Sequence, residues 1–328
     1  MSLRVFVTGA TGFIGRHLCE RLAARGDRIV ALVRTPVKAG HLPPGTEIVR
    51  GDLGLFADPA TVLPQCDVVI HLAGLVAADR LAAYEEINFD AVKDLLACLG
   101  RQSWAPRRLL LASSLAAAGP SSRDSEWTEK DALHPIDPYG AAKARAEGLM
   151  RAAPFPTTVF RPPVVFGPGD EATLTLFRSA RSGVGIRVAG SPQRLSFVDV
   201  RDLVDAIVRM ADDTRGGSFV YYASYPQFTD VPQLWVELGR AVGRGVAVVP
   251  LPKFLLYVAM LVSTVAAKLL RFKNQLDAKQ YAQMVAPAFL CSGERLRTEL
   301  GWQPRHDLGA SLTHAATGYR SAGMLRGG

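Results

Sequence analysis

Tyr139 and Lys143 stand four residues apart in "DPYGAAKARAE", residues 137–147. On a helix that spacing puts both side chains on one face, one turn apart. A phenol titrates near 10, and a neighbouring ammonium favours the phenolate and lowers that value. A tyrosine tuned this way gives or takes a proton near neutral pH. The helix around the pair is bare, with Ala141, Ala142, Ala144 and Ala146. Tyr-x-x-x-Lys alone is common and equally suits a plain surface helix, so its weight comes from its surroundings.

The second group is "TGATGFIG", residues 8–15, with Gly9, Gly12 and Gly15 three apart. It follows an apolar strand and opens a helix. There Gly9 permits a tight turn, Gly12 lets backbone approach a pyrophosphate, and Gly15 lets helix and strand pack closely. Thr11, Phe13 and Ile14 complete the turn, and the helix N-terminus presents free N–H groups to phosphate. The next strand ends in Arg34, with Lys38 close behind, where a carboxylate usually holds the ribose 2′-hydroxyl. A guanidinium grips a 2′-phosphate bidentately. NADP(H) is therefore favoured, and NAD(H) remains the alternative.

The elements that must position these groups are legible in the first half. Apolar strands are expected at 3–9, 28–34, 46–53, 67–74, 107–114 and 157–163, separated by helices. One helix carries Ile14, Leu18 and Leu22 and stops at Gly26, and an amphipathic one spans 84–100. Continuous apolar strands alternating with helices predict an α/β fold, a doubly wound parallel sheet of the Rossmann type covered on both faces. The second half mixes short strands and helices among prolines. It reads as a smaller mixed α/β substrate domain built from C-terminal excursions. The expected division is a dinucleotide-binding domain over 1–165, with 195–225 returning to it, and a substrate-binding domain over 166–194 and 226–328.

Composition narrows the class. The chain has 328 residues, 48% hydrophobic and 21% charged, which suits a globular protein with a sizeable core. The net charge of +8 is spread over scattered arginines. No basic tract interleaves with aromatics, so nucleic acid is not an expected partner, and an anionic cofactor or membrane surface accounts for the sign. Cys19, Cys66, Cys98 and Cys291 are far apart and make no metal-type pair, so no metal site is expected. They read as small buried residues in a reducing compartment. "MSLRVFVTGATG" runs straight into a strand, so a cytoplasmic protein without a signal peptide is expected.

Taken together, the chain resembles the extended short-chain dehydrogenase/reductases, the NAD-dependent epimerase/dehydratase family. The resemblance rests on "TGATGFIG", "GDL" (51–53), "HLAG" (71–74), "EEINFDAV" with Asn88, "ASSLAAAG" (112–119), "YGAAK" (139–143), "RPPVVFGPGD" (161–170), "FVDVRDLVDAI" (197–207) and "LGW" (300–302), in that order. It implies an NAD(P)-dependent oxidoreductase. Asp52 and Leu53 would frame the adenine, and Leu72, Ala73 and Gly74 the ribose and phosphates. Ser114, rather than Ser113, would be the catalytic serine. Tyr139 would exchange the proton, and Lys143 would hold the nicotinamide ribose and tune Tyr139. Asn88 would support the hydrogen-bond network. Pro162, Val164 and Val165 would line the nicotinamide. The resemblance also makes a homodimer the expected assembly. Asp199 and Arg201 depart from the usual "FVHVDD", and Ala118 replaces an aromatic.

The substrate is less determined. Nucleotide-sugar members usually carry a late R-x-G-D-like motif, and none occurs between 270 and 300. "LVRTP" (32–36) also resembles the dihydroflavonol-reductase and 3β-hydroxysteroid-dehydrogenase branches. A hydrophobic ketone or alcohol, steroid-like or polyketide-like, is the favoured small-molecule substrate. A nucleotide-sugar epimerase or dehydratase is the alternative, and a non-catalytic NADP(H)-binding regulator a remote one. Residues 254–273, "FLLYVAMLVSTVAAKLLRFK", form an apolar helix too short to span a bilayer. Leu255, Val258, Val262, Val265 and Leu269 make one stripe, and Phe254, Tyr257 and Leu261 a second. The favoured expectation is a helix buried over the substrate pocket. The other is a peripheral membrane contact, with Lys268, Arg271 and Lys273 meeting head groups.

Overall fold

The computed structural model describes residues 2–78, 80–190, 192–270 and 281–325, with side chains of 265–270 excepted. The chain runs β1 (Arg4–Thr8), α1 (Phe13–Arg25), β2 (Arg28–Val33), β3 (Glu47–Arg50), β4 (Val68–His71), α2 (Leu81–Glu85), α3 (Ala91–Arg101), β5 (Arg108–Ala112), α4 (Leu115–Ala118), α5 (Pro138–Arg151) and β6 (Thr157–Arg161). It continues through β7 (Val164–Phe166), α6 (Glu171–Ser182), β8 (Val184–Val188), β9 (Arg194–Leu195), β10 (Phe197–Asp199), α7 (Val200–Asp212), β11 (Ser218–Tyr222), β12 (Thr229–Asp230) and α8 (Val231–Val242). It ends with β13 (Ala247–Leu251), α9 (Lys253–Leu270), α10 (Tyr281–Val285), β14 (Ala288–Phe289), α11 (Glu294–Leu300) and α12 (Leu308–Ser321).

Seven strands form one sheet in the order β3-β2-β1-β4-β5-β6-β11, and every pair is parallel. The six strands expected in the first half are all present, each within a few residues of its expected bounds. Strand order reverses between β1 and β4, which opens a crevice at the carboxyl edge there. The central strands are buried on both faces, as their unbroken apolar runs require. Leu18 and Leu22 of α1, Leu203 and Ile207 of α7, and Trp302 cover one face. Leu95 and Leu99 of α3, and Ala146 and Met150 of α5, cover the other.

The second half adds a separate apolar cluster between α6, α8 and α12, centred on Phe177, Leu238, Leu312 and Tyr319. Small sheets join distant segments: β7 with β10, β8 with β13, and β9 between β12 and β14. Leu296 and Trp302 sit in the core of the large sheet rather than with that cluster, so 294–302 returns to the first half. The helix expected over 84–100 is interrupted by a π turn over Glu86–Asp90 between α2 and α3.

The 254–264 face corrects an expectation. The favoured reading buried this helix, but Phe254, Leu255, Tyr257, Val258, Leu261 and Val262 are exposed. Only Leu256 and Met260, four apart, turn inward. The side chains of Val265, Lys268 and Leu269, and all of Arg271 and Lys273, lie outside the described residues.

Candidate active site

Each predicted site residue lies at or just past the carboxyl end of a sheet strand or on a helix packed behind that edge. The glycine turn comes first. Gly9 has φ +72°, and a Cβ there would lie 2.7 Å from Ala73 N, across the crevice between β1 and β4. A Cβ on Gly15 would lie 2.1 Å from Gly9 O, so only glycine lets α1 start so close to β1. Gly12 N donates to Gly9 O at 2.9 Å and tightens the turn. Thr11, Phe13 and Ile14 are half-buried beside it. No side chain caps the N-terminus of α1. Free N–H groups, a helix dipole and a backbone bare of Cβ atoms fit a dinucleotide pyrophosphate.

Arg34 is the first residue past β2, exposed and free of hydrogen-bond or ion-pair partners among the described residues. Lys38 is also exposed, in a 3-10 turn over Pro36–His41. Gly51 N donates to Val33 O, which brings Asp52 and Leu53 beside the end of β2. Asp52 caps the turn that Leu53 begins.

At β4 the chain leaves through His71, Leu72, Ala73 and Gly74. Thr8 Oγ1 bonds His71 Nδ1 at 2.8 Å and also accepts from Ala73 N at 3.3 Å, tying β1 to β4. Burial, with help from the Lys143 charge, pulls the His71 pKa down to about 3. His71 is therefore neutral at physiological pH. Asn88 is buried in the π turn. Its Oδ1 accepts from Leu75 N, and its Nδ2 donates to the carbonyls of Leu75 and Tyr84. A Cβ on Gly74 would meet Asn88 Oδ1 and Lys143 Nζ, each at 3.0 Å. Asn88, Gly74 and Lys143 thus form one contiguous group.

Ser114 and Tyr139 meet past the end of β5. Asp137 caps α5 by accepting from Gly140 N, and Pro138 occupies its first turn. Gly140 lets α5 press on α4, since a Cβ there would lie 2.3 Å from Ala116 O. The bare helix is explained partly by this packing: Ala142 and Ala146 are buried, and only Ala141 and Ala144 retain some exposure. The Ser114 hydroxyl stands beside the Tyr139 phenol and favours its charged form, and Ser114 Oγ accepts from Ala116 N. Ser113 points the other way, its hydroxyl donating to the buried Glu147 carboxylate. Pro162 follows β6, its carbonyl accepting from Leu115 N at 3.0 Å. Val164 is exposed and Val165 half-buried on β7 beside it.

The electrostatics correct one sequence reading. Lys143 was expected to lower the phenol pKa, yet Tyr139 is pushed up to about 12. Burial is the main cause and the Asp137 charge adds to it, while the Ser114 hydroxyl opposes it. The ammonium sits 5.9 Å from the ring centroid and donates to Ala112 O at 2.8 Å, so it is committed to backbone. Burial also lowers Lys143 from 10.5 to about 8, against an opposing pull from Glu147.

That shift has a stability consequence with a definite sign. The folded state penalises the charged form of Lys143 below about pH 8, and the penalty is relieved between about 8 and 10.5. Over that window this group makes wild-type stability rise with pH. Removing it as Lys143→Met lifts a penalty of about 3 kcal/mol at pH 7, offset by about 1 kcal/mol for the lost bond to Ala112 O. Urea melts should show the variant more stable at pH 7, with the gap closing as pH nears 10.5. Equal or lower stability at pH 7 would mean that the burial penalty is small.

Behind the site lies a buried network that the sequence reading did not identify. Arg161 and Glu147 form an ion pair at 2.6 Å, both almost fully buried. Arg161 Nη1 also donates to Tyr222 Oη at 2.9 Å. The signal was present: Tyr139, Lys143 and Glu147 repeat at four-residue spacing along one face of α5. Asp199 caps α7 and pairs with Arg201 at 2.7 Å, so the departure from "FVHVDD" builds a local ion pair. The four cysteines are buried and unpaired, as expected.

Known proteins resemble this chain in sequence and in fold. Residues 5–221 match the model of the NAD dependent epimerase/dehydratase family. A ceramide reductase of Caulobacter vibrioides is 35% identical over 205 residues, 62% of this chain and 59% of that protein. The match thus spans under two thirds of that relative. A UDP-glucose 4-epimerase of Vibrio cholerae is 26% identical over 268 residues, 77% of this chain and 80% of that protein. The structure of MoeE5 in complex with UDP-glucuronic acid and NAD superposes with a TM-score of 0.76 at 24% identity, covering 97% of this chain and 99% of that one. With residues 5–221, about two thirds of its length, matching that family model, this chain belongs to the NAD dependent epimerase/dehydratase family of nicotinamide-dependent enzymes.

Proposed function

We propose that this enzyme transfers hydride between NADP(H) and a hydrophobic ketone or secondary alcohol. The observation that carries the reading is the grouping of Ser114 and Tyr139 at the carboxyl edge of the sheet, with Lys143 and Gly74 behind them. When bound, the nicotinamide supplies or accepts the hydride. Ser114 and Tyr139 hold the substrate oxygen. With its pKa near 12, Tyr139 keeps its proton at neutral pH, which suits donation to a carbonyl oxygen as charge develops there. Lys143, held by Ala112 O beside Gly74, is placed to meet the ribose of the bound cofactor. Asn88 fixes the loop that carries Gly74.

Support for a hydrophobic substrate comes from the ceramide reductase relative, whose name specifies reduction of a lipid, and from the missing R-x-G-D-like motif. The UDP-glucose 4-epimerase relative supports a second reading, nucleotide-sugar chemistry. Nicotinamide absorbance with long-chain and steroid ketones, set against nucleotide sugars, tests the two. Turnover of nucleotide sugars alone would select the second.

Arg34 supports the cofactor preference. A charge-assisted contact to a 2′-phosphate contributes about 1.5–3 kcal/mol, or roughly a tenfold to hundredfold preference for NADPH over NADH. Fluorescence titration should show that gap, and Arg34→Ala should lose most of it. Equal wild-type affinities would assign NAD(H) instead.

A further inference from the structure

We propose that the exposed face of α9, with the β8–β13 ribbon leading into it, docks this chain on an anionic lipid membrane. The inference follows from burial and charge and does not rest on the substrate reading above. Phe254 is 72% exposed and Val262 61%, with Leu255, Tyr257, Val258 and Leu261 between them. On the ribbon, Val184, Ile186 and Val249 are exposed as well. Large contiguous apolar patches are rare on free protein surfaces and mark a binding face. The helix is anchored on its other side by Leu256 and Met260, and the Tyr257–Tyr281 ring contact at 5.2 Å ties the edge of the exposed face to α10. No helix among the described residues is long and apolar enough to cross a membrane, so this one would lie on the surface.

Charge selects the occupant. Residues 241–276 hold no Asp or Glu but carry Arg244, Lys253, Lys268, Arg271 and Lys273 in sequence, while Arg240 pairs with Glu237. A basic stretch around an apolar helix is complementary to anionic head groups. A second copy of this face would set like charges against like, which disfavours self-association there. A side-chain hydrogen bond also joins α10 to the cap of the catalytic helix. Next to Tyr281 on α10, Gln283 Nε2 donates to Asp137 Oδ2 at 2.6 Å, and Asp137 caps α5 two residues before Tyr139.

The test is co-sedimentation with vesicles of phosphatidylcholine alone, and of phosphatidylcholine with phosphatidylglycerol, at low and high salt. The protein should pellet with the anionic vesicles and release as salt screens the charges. Leu261→Glu forfeits one buried leucine and should weaken partitioning by about tenfold to a hundredfold. Val62→Glu, also exposed but outside this face, should bind like wild type. Unchanged melting temperatures confirm that both variants fold. If Leu261→Glu unfolds, Val262→Glu takes its place. A protein that stays in the supernatant with every vesicle overturns the proposal, as does Leu261→Glu pelleting like wild type. A salt-stable dimer that Leu261→Glu dissolves, without vesicle binding, gives the face to a second copy and also overturns it.

Discussion

Tyr139→Phe is expected to lower kcat by about 10²- to 10⁴-fold, the contribution of one positioned proton donor. NADPH should still bind nearly as tightly. The substitution removes a single oxygen and keeps the ring beside Lys143. Lys143 keeps its own bond to Ala112 O, so the cofactor side of the site is undisturbed. Ser114 keeps its contact to Ala116 N and remains placed to hold the substrate oxygen. Residual turnover would then come from Ser114 and the bound cofactor. Steady-state rates with a surrogate ketone, alongside a fluorescence titration of NADPH, separate the two effects. Wild-type turnover in this variant would remove Tyr139 from the chemistry.

Glu147→Ala should be among the most destabilising single substitutions in the chain. The Arg161 guanidinium is almost fully buried, and Glu147 is its anionic partner, held through hydrogen bonds from both Nε and Nη2. Breaking a buried pair by removing one member costs about 3–5 kcal/mol, because the remaining charge is left uncompensated. In thermal melts that is a loss on the order of 5–10 °C. Ser113 loses its acceptor at the same time. Glu147→Met with Arg161→Met removes both charges and should recover much of the loss. A Glu147→Ala protein as stable as wild type would show that water reaches Arg161. Catalysis should also respond, since Glu147 opposes the loss of charge on Lys143 one turn away.

The glycine turn, the alternating strands and the Tyr139–Lys143 pair were legible because each is a local pattern. Three-residue glycine spacing, period-two and continuous apolar runs, and four-residue helical spacing are set by backbone geometry over a few residues. The Arg161–Glu147 pair was not legible as a pair. It joins β6 to α5 across the sheet face, and nothing in either segment alone says that the two charges meet. Glu147 in "AKARAE" reads as an exposed helix carboxylate until the packing of α5 on the sheet buries it.

Sequence alone therefore determined the nucleotide-binding edge: which strands end in glycine, which residue follows β2, and which phenol and ammonium share a helix face. Tertiary structure decided the energetics of that edge. Proximity in sequence predicted that Lys143 would lower the Tyr139 pKa. Three-dimensional burial raised it to about 12 instead, because desolvation of a phenolate outweighs a cation that is turned toward Ala112 O. Tertiary structure likewise decided the fate of the apolar helix. Hydrophobicity marks residues that benefit from leaving water, but not what covers them. Only the placement of α9, with Leu256 and Met260 turned inward and Phe254, Leu261 and Val262 turned out, shows that the described residues of this chain leave them exposed.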